Sequence, residues 1–191
     1  MAYVPLNPAD AVILFADLQT GIMAMQKTND AGVLRRAAAA VAKLAKIFEI
    51  PAIVTTAPMD GQPGEVTPEI AAGLGPLPSY MRTTADSFTH PATAEAIKAT
   101  GRKTLLIAGV ATEIIVQHSA LSGLAHGFDV QIIVDACGGL SPRTEDAALR
   151  RLIQAGAVTT SVASLAGQLA GDFTQPKGGE ALGVLYEMAG G

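Results

Sequence analysis

The feature that most constrains the fold of this chain is a regular alternation between short, uninterrupted apolar runs and longer segments with helical periodicity. The first run is AVILFA at 11–16, and the clearest is TLLIA at 104–108. Continuous apolar runs are typical of parallel strands that are buried on both faces. The alternation therefore predicts an α/β fold: a three-layer α/β/α arrangement around a six-stranded, mainly parallel, doubly wound sheet of Rossmann-like order.

Glycine, proline or a capping residue marks most changes of pattern. The predicted strands are 11–16, 51–56, a short one at 79–81, 104–108, 130–134 and 157–161. The predicted helices are 30–48, 91–100, 112–126, 143–155, 162–169 and 179–188. Asp30 and Thr112 are the candidate N-caps of two of these helices. The proline- and glycine-rich segment 57–78 is expected to be a long loop with one helical turn near Pro68.

Length and composition agree with one domain, 1–191, and a large core. Apolar residues make up 49% of the 191 residues and charged residues 16%, and the net charge is −4. An acidic chain without a basic run argues against a nucleic-acid partner. No apolar stretch reaches the length of a membrane span, and the first residues lack the pattern of a signal peptide, so a cytoplasmic protein is expected. A single cysteine, Cys137, excludes an intrachain disulfide.

Candidate site residues follow from the rule that ligands bind at the carboxyl ends of parallel strands. Asp17 and Gln19 follow the first strand, Arg82 follows the third, and 109–115 follows the fourth. A carboxylate directly after a buried strand would be partly desolvated, which raises its pKa toward the range that acid–base catalysis needs. Alternatively, Asp17 caps the helical turn that begins near Thr20, and position alone leaves both interpretations open.

Two segments make the sequence recognisable. VILFADLQ at 12–19 and GVATE at 109–113 resemble the signature segments of the isochorismatase-like cysteine hydrolase superfamily. Further matching segments are 82–88, 127–130, 135–137 and 154–157, so that the resemblance covers nearly the whole chain. Segments 45–48, 51–56, 98–101 and 120–122 are most similar to the YcaC-like branch of that superfamily.

The resemblance implies a site at three strand ends, where members of the superfamily carry an Asp, a Lys and a Cys. Asp17 matches the Asp, which serves as acid or base. Arg82 stands where most members have Lys; it keeps the charge and could clamp a substrate carboxylate with two hydrogen bonds. Ile115 stands at the position of the nucleophilic Cys. Because isoleucine has no nucleophile, a thioester intermediate cannot form there.

Three functions therefore remain open. The chain could be a hydrolase of a small carbonyl, amide or vinyl-ether compound that uses Asp17 and Arg82 without a thiol, since the isochorismatase branch also lacks the Cys. It could be a catalytically inactive member that binds a small ligand or acts as an oligomeric interaction protein. It could also hydrolyse through a displaced nucleophile, for which Cys137 is the available thiol, although a lone cysteine beside a buried strand is more often inert.

The resemblance also implies an oxyanion hole of backbone N–H groups, with a cis peptide bond between Val110 and Ala111. Gln19, Phe88 and His118 complete the predicted substrate contacts. For His118, a capping or interface role is the alternative.

No cofactor is expected. Segment 57–78 holds no histidine, unlike the zinc-binding nicotinamidases of the superfamily, and no glycine-rich phosphate loop follows any strand. The expected partners are a small-molecule substrate or ligand and further copies of the chain, because the superfamily is usually oligomeric. A tetramer or octamer is predicted.

Overall fold

The structure, a computed structural model, describes residues 5–190. Its strands are β1 (Ala11–Ala16), β2 (Ala52–Thr56), β3 (Pro58–Met59), β4 (Gln62–Pro63), β5 (Ser79–Met81), β6 (Thr104–Val110), β7 (Asp129–Gly138) and β8 (Val158–Thr160). Its α-helices are α1 (Thr20–Met23), α2 (Ala31–Ile47), α3 (Pro68–Leu74), α4 (Pro91–Ala99), α5 (Gln117–Ala125), α6 (Pro142–Ala155), α7 (Val162–Ala170) and α8 (Pro176–Gly190). Within the described range, no helix has the length and apolar character to cross a membrane.

Six of the strands form one parallel sheet in the order β5-β2-β1-β6-β7-β8. The chain builds outward from β1 to β5 and then crosses back to place β6 beside β1. The order of strands thus reverses between β1 and β6, which is where a crevice forms at the carboxyl edge of such sheets. The predicted fold class is confirmed.

The two faces of the sheet carry separate apolar clusters. Alternate residues of β1 point to opposite faces, so that Ile13 and Phe15 pack with α2, α7 and α8, whereas Val12 and Leu14 pack with α4, α5 and α6. Every residue of β1 is buried. This two-sided burial explains the uninterrupted apolar run from which the fold class was predicted.

Local signals place most element boundaries. Asp30 caps α2 by accepting hydrogen bonds from the backbone N–H groups of Gly32 and Val33, at 2.8 and 2.9 Å. Gly156 ends α6 with a φ of +107°, a backbone conformation that glycine adopts without strain.

Three predictions of local structure are wrong. The hydroxyl of Thr112 does not cap a helix: it donates to Glu145 at 2.7 Å, and a π-helical turn at Thr112–Val116 precedes α5. β7 is longer than predicted and contains Cys137, which was expected to follow the strand. Segment 57–78 is not an uninterrupted loop: it contains the β3–β4 hairpin, and the helical turn expected near Pro68 is the first turn of the seven-residue helix α3.

Gly109 determines how closely β1 and β6 approach at the carboxyl edge. A Cβ on Gly109 would lie 2.5 Å from the carbonyl oxygen of Ala16 and 3.1 Å from Cγ2 of Val116. We expect Gly109→Ala to lower the free energy of unfolding by about 1–3 kcal/mol, the usual cost of overpacking, in urea denaturation. Gly167→Ala, within α7 and without atoms near the added Cβ, is the control and should be neutral or up to about 1 kcal/mol stabilising. Equal stabilities for the two variants would contradict this packing.

Candidate active site

A cavity of about 370 Å³ opens at the carboxyl edge of the sheet. Five residues that the sequence singled out line it: Asp17, Arg82, Val110, Ala111 and Ile115. The other lining residues are Ile22, Met25, Ala57, Pro58, 83–85, Ile114 and Leu140. The cavity thus lies at the reversal between β1 and β6, and its wall is mainly apolar.

Asp17 directly follows β1 and has a positive φ of 54°. The residue is 4% exposed, and its side chain turns toward the neighbouring strands. The hydroxyl of Thr55 donates to Oδ1 at 2.9 Å, and Nη2 of Arg82 donates to Oδ2. The alternative that Asp17 caps the turn at Thr20 is wrong, because Gln19 is the residue at that N-cap and no side chain caps it.

Arg82 follows β5 and is 5% exposed. While Nη2 donates to the carboxylate of Asp17, Nη1 donates to the carbonyl oxygen of Thr84, two residues further along the chain. Nε is buried and has no hydrogen-bond partner among the described residues. Two of the three nitrogen atoms of this guanidinium are therefore held by the protein itself.

Burial dominates the electrostatics of this pair. Desolvation raises the pKa of Asp17 above its ordinary value of 3.8, and the positive charge of Arg82 and the hydroxyl of Thr55 oppose the rise. Desolvation likewise lowers the pKa of Arg82, against the negative charge of Asp17. Each group thus compensates the buried charge of the other, and removal of one partner would leave the other charge unpaired.

Ile115 belongs to the π-helical turn Thr112–Val116 that follows β6. Its side chain is 1% exposed, packs in the apolar cluster on the α5 face and also contributes to the cavity wall. A branched aliphatic side chain provides contact area but no nucleophile. The peptide bond between Val110 and Ala111, on the same wall, is cis as predicted.

Three predicted substrate contacts lie outside the cavity lining. The amide of Gln19 donates to the carbonyl oxygen of Ala57 at 3.0 Å and accepts from its N–H at 2.6 Å, so Gln19 holds the segment after β2. Phe88 packs against His126 and Phe128, with ring centroids 5.0 and 5.8 Å apart. His118 is exposed on α5. The side-chain amide of Gln19 is hydrogen-bonded to the backbone of Ala57, and the ring of Phe88 is packed in an apolar cluster.

Cys137 does not reach the cavity either. Its side chain is 2% exposed within β7, and its thiol donates a weak hydrogen bond to the carbonyl oxygen of Ile107 at 3.9 Å. Burial raises the pKa of this thiol to about 12. A neutral, buried thiol away from the cavity argues against the displaced-nucleophile hypothesis.

Sequence reasoning missed the loop between β1 and α2, which supplies Ile22 and Met25 to the cavity. Several hydrogen bonds anchor this segment to the end of β7. Nδ2 of Asn29 donates to the carbonyl oxygen of Asp135 at 3.0 Å, the N–H of Gly139 donates to the hydroxyl of Thr28 at 2.7 Å, and the N–H of Lys27 donates to the carbonyl oxygen of Gly139 at 2.7 Å. No local pattern marks these contacts, although the carboxyl-end rule, applied to the loop after every strand, indicates the region.

No group of three or more His, Cys, Asp or Glu side chains suited to a metal ion occurs within residues 5–190. The polar side chains of the cavity wall are instead one carboxylate, one guanidinium and the hydroxyls of Thr83 and Thr84. The donor set therefore fits hydrogen bonding and proton transfer by the protein's own groups.

Comparison with known proteins gives consistent matches. The family model for the isochorismatase domain matches residues 11–164. Probable hydrolase YcaC of Escherichia coli (strain K12) is 36% identical over 156 residues, which cover 81% of this chain and 75% of that protein. Isochorismatase domain-containing protein 2 of Xenopus laevis is 30% identical over 152 residues, which cover 80% and 73%.

Solved structures agree with these matches. The E. coli YcaC gene product, described as an octameric hydrolase of unknown specificity, superimposes with a TM-score of 0.91 at 32% identity, covering 98% of this chain and 92% of that one. YcaC from Pseudomonas aeruginosa also gives a TM-score of 0.91 at 32% identity, with coverage of 100% and 96%. The resemblance to the superfamily and its YcaC-like branch is confirmed.

The hydrogen bond from Thr55 to Asp17 yields a test of the site's electrostatics. We expect Thr55→Val to raise the pKa of Asp17 further, because the donor that stabilises the carboxylate is lost. At neutral pH the variant should lose about 1.5–3 kcal/mol of unfolding free energy, as for other hydrogen bonds to charged groups. Carbon-13 NMR titration of the aspartate carboxyls and urea denaturation measure the two effects.

Thr56→Val is the matched control, because the neighbouring hydroxyl of Thr56 is equally buried and has no partner among the described residues. It should leave the pKa of Asp17 unchanged. The sign of the pH dependence follows from the raised pKa: the folded state binds the proton of Asp17 more tightly, so this group's contribution to stability falls as pH rises above 3.8. The loss of unfolding free energy in Thr55→Val should therefore be small at low pH and grow as the pH rises above 3.8. A loss that does not change with pH would contradict the hydrogen bond from Thr55 to the Asp17 carboxylate.

Proposed function

The chain belongs to the isochorismatase family, and on that premise we propose that it is a hydrolase that acts on a small carbonyl, amide or vinyl-ether compound without a thiol nucleophile. The observation that carries the proposal is the buried pair of Asp17 and Arg82 on the wall of an apolar cavity. Placing an ionisable pair in a low-dielectric wall carries a desolvation cost, and perturbed ionisable groups of this kind cluster at active sites.

Ile115 is proposed to occupy the position of the family's nucleophilic Cys. Two features support this: Ile115 follows the cis peptide bond at Val110 and Ala111 in the turn after β6, and it contributes to the same cavity wall as Asp17. The attacking group must then be water. Cys137 is excluded from that role by its burial and its raised pKa.

Asp17 is proposed as the general base for a carbonyl substrate. Its carboxylate takes a proton from water while the water oxygen forms a bond to the carbonyl carbon, and the electron pair of the C=O bond moves to the oxygen. Backbone N–H groups around Ala111 would stabilise that oxyanion. When the tetrahedral intermediate collapses, Asp17 returns the proton to the departing amine or alcohol.

A vinyl-ether substrate would use the same residue in its protonated form. Asp17 would deliver its proton to the terminal carbon of the double bond, and water would then add to the resulting oxocarbenium carbon and return a proton to Asp17. The hemiketal so formed would break its C–O bond to give a carbonyl compound and an alcohol. Both reactions suit a carboxyl whose pKa lies above its ordinary value, since efficient acid–base catalysts titrate near the working pH. Arg82 would orient the carboxyl and limit that rise.

The second candidate is a member without catalysis that binds a small ligand. The observation that favours it is that Ile115, at the proposed position of the family's nucleophile, contributes an inert side chain to the cavity wall. The two candidates predict different hydrolytic activities for the parent protein and for the variants Asp17→Asn and Ile115→Cys.

Hydrolysis of a panel of small amides, nitriles, esters and isochorismate by the purified protein tests the proposal. We expect turnover of at least one compound, and a loss of about 10²–10⁴-fold in Asp17→Asn, the usual contribution of a general acid or base. Cys137→Ser is the control and should keep the parental rate, because the thiol lies away from the cavity.

The binding candidate is supported instead if the parent protein hydrolyses none of the compounds and Ile115→Cys hydrolyses an amide. That pattern would mean an intact family site that has lost its nucleophile. Activity that survives Asp17→Asn would contradict the proposed role of the carboxyl as acid or base.

We further propose that the chain assembles as a homo-oligomer, a tetramer or octamer. Met25, Ile114 and Leu140 line the cavity and are 55%, 43% and 41% exposed, so apolar surface surrounds the cavity in the single chain. The octameric state of the E. coli relative supports the larger assembly. Light scattering should give a multiple of 19.5 kDa, and a monomer mass would contradict the proposal.

A further inference from the structure

We infer that Asp86 is a positioning residue, which acts on the site by fixing the orientation of the Arg82 guanidinium. Asp86 lies in the loop after β5, just before the 3₁₀ turn Ser87–Thr89, and does not line the cavity. It therefore acts through Arg82 and not on a ligand. The inference rests on the proposed function only in treating Asp17 and Arg82 as the groups that take part in the reaction.

The guanidinium of Arg82 depends on this loop for its orientation. The backbone N–H of Arg82 donates to the carbonyl oxygen of Thr56 at 2.9 Å, so the sheet fixes where the side chain begins. At the other end of the side chain, Nη1 donates to the carbonyl oxygen of Thr84, and Nη2 donates to Asp17. The carbonyl oxygen of Thr84 and the carboxylate of Asp17 therefore hold the guanidinium between them.

Hydrogen bonds to Asp86 shape the loop that carries Thr84. The carbonyl oxygen of Asp86 accepts from the hydroxyls of Thr84 and Thr89, at 2.9 and 2.8 Å. Its carboxylate accepts from the N–H of Phe88 at 2.8 Å and from the hydroxyl of Ser122 at 2.5 Å. Because Ser122 belongs to α5, the carboxylate of Asp86 connects the loop to a helix.

Helix α5 is a rigid support for this connection. It continues directly from the π-helical turn Thr112–Val116, which forms part of the cavity wall. The loop also contacts α5 at the next residue, where the N–H of Ser87 donates to Oγ of Ser119 at 3.0 Å and both residues are fully buried. Ser119 thus anchors the end of the loop, and Asp86 connects this anchor to the residues that face Arg82.

The negative charge of Asp86 also acts on Arg82. Desolvation lowers the pKa of the guanidinium, and the field of Asp86 opposes that fall together with the larger effect of Asp17. Asp86 thus contributes both hydrogen-bond geometry and an electric field. The two contributions are separable, because one depends on the hydrogen bonds of the side chain and the other on its charge.

The variants Asp86→Ala and Asp86→Asn separate geometry from charge. Both remove the charge, but the amide of Asn can accept from the N–H of Phe88 and donate to Oγ of Ser122, whereas Ala forms neither bond. Loss of a nearby negative charge lowers the pKa of a carboxyl, and displacement of a positive charge raises it. The field of Asp86 and its positioning of Arg82 therefore shift the pKa of Asp17 in opposite directions.

We expect Asp86→Ala to raise the pKa of Asp17 by about 1 pH unit, the low end of the effect of an adjacent opposite charge, and Asp86→Asn to leave it at or below the parental value. Carbon-13 NMR titration of the aspartate carboxyls measures this pKa, with Asp17→Asn to assign the signal.

Nitrogen-15 NMR of the guanidinium is the second measurement, and Arg82→Lys assigns its signals. Hydrogen bonds to both Nη1 and Nη2 restrict rotation about the Nε–Cζ bond, so the two nitrogens of Arg82 should give separate signals in the parent and in Asp86→Asn. In Asp86→Ala they should merge into one. A role of Asp86 in fold stability alone would not change these signals.

Ser122→Ala is a milder variant, because it keeps the charge of Asp86 and removes only the hydrogen bond from α5. It should raise the pKa of Asp17 by less than Asp86→Ala does. Asp172→Ala is the matched control: Asp172 accepts from the N–H and the hydroxyl of Thr174 at 2.8 and 2.7 Å, the same donor types, and lies outside the cavity lining. It should change neither the pKa of Asp17 nor the signals of Arg82.

An unchanged pKa of Asp17 with separate Nη signals in Asp86→Ala would overturn the inference, as would an equal rise of this pKa in Asp172→Ala. If Asp86→Ala does not fold, Ser122→Ala decides by the same criteria. The expected changes in a protein that hydrolyses none of the compounds would refute the proposed hydrolase and leave the positioning role standing. Hydrolysis together with an unchanged pKa of Asp17 would do the reverse.

Discussion

The buried ion pair of Asp17 and Arg82 is the interaction on which the site depends. Two opposite charges that are 4% and 5% exposed stabilise each other only while both stay in place. Their partners extend the constraint: Thr55 on the neighbouring strand holds the carboxylate, and the carbonyl of Thr84 holds the guanidinium. The wall is therefore preorganised before any ligand arrives, which is what electrostatic catalysis and selective binding both require.

The sheet makes this arrangement possible through close approach of backbone. β1 and β6 run side by side to the paired residues Ala16 and Gly109, where no side chain beyond hydrogen fits on the glycine. Asp17 and the turn with Ile115 follow directly after that pair. The order of strands thus brings a carboxylate and the start of a helical turn to one edge, as expected at the point where a doubly wound sheet reverses.

Ile115 is the residue that we propose to stand at the position of the family's nucleophile. Its side chain supplies apolar surface to the cavity wall and no attacking atom. An aliphatic side chain beside Asp17 and Arg82 keeps the wall apolar, which strengthens the interaction between the two charges.

The local sequence determines the positions of many strands and helices in this protein. The apolar run at 11–16, the cap at Asp30 and the glycine at 156 predicted element positions because buried parallel strands and helix ends depend on neighbouring residues. The signature segments also indicated Asp17, Arg82, Ile115 and the cis bond at Val110 and Ala111. Only the tertiary structure decided which polar groups are already paired. Thr55 and Arg82, which are 38 and 65 residues away in the sequence, donate hydrogen bonds to Asp17. The side chain of Gln19 is hydrogen-bonded to the backbone of Ala57. Hydrogen-bond partners that are far apart in the sequence meet only in the folded chain. The local sequence pattern therefore does not show which polar groups are already paired.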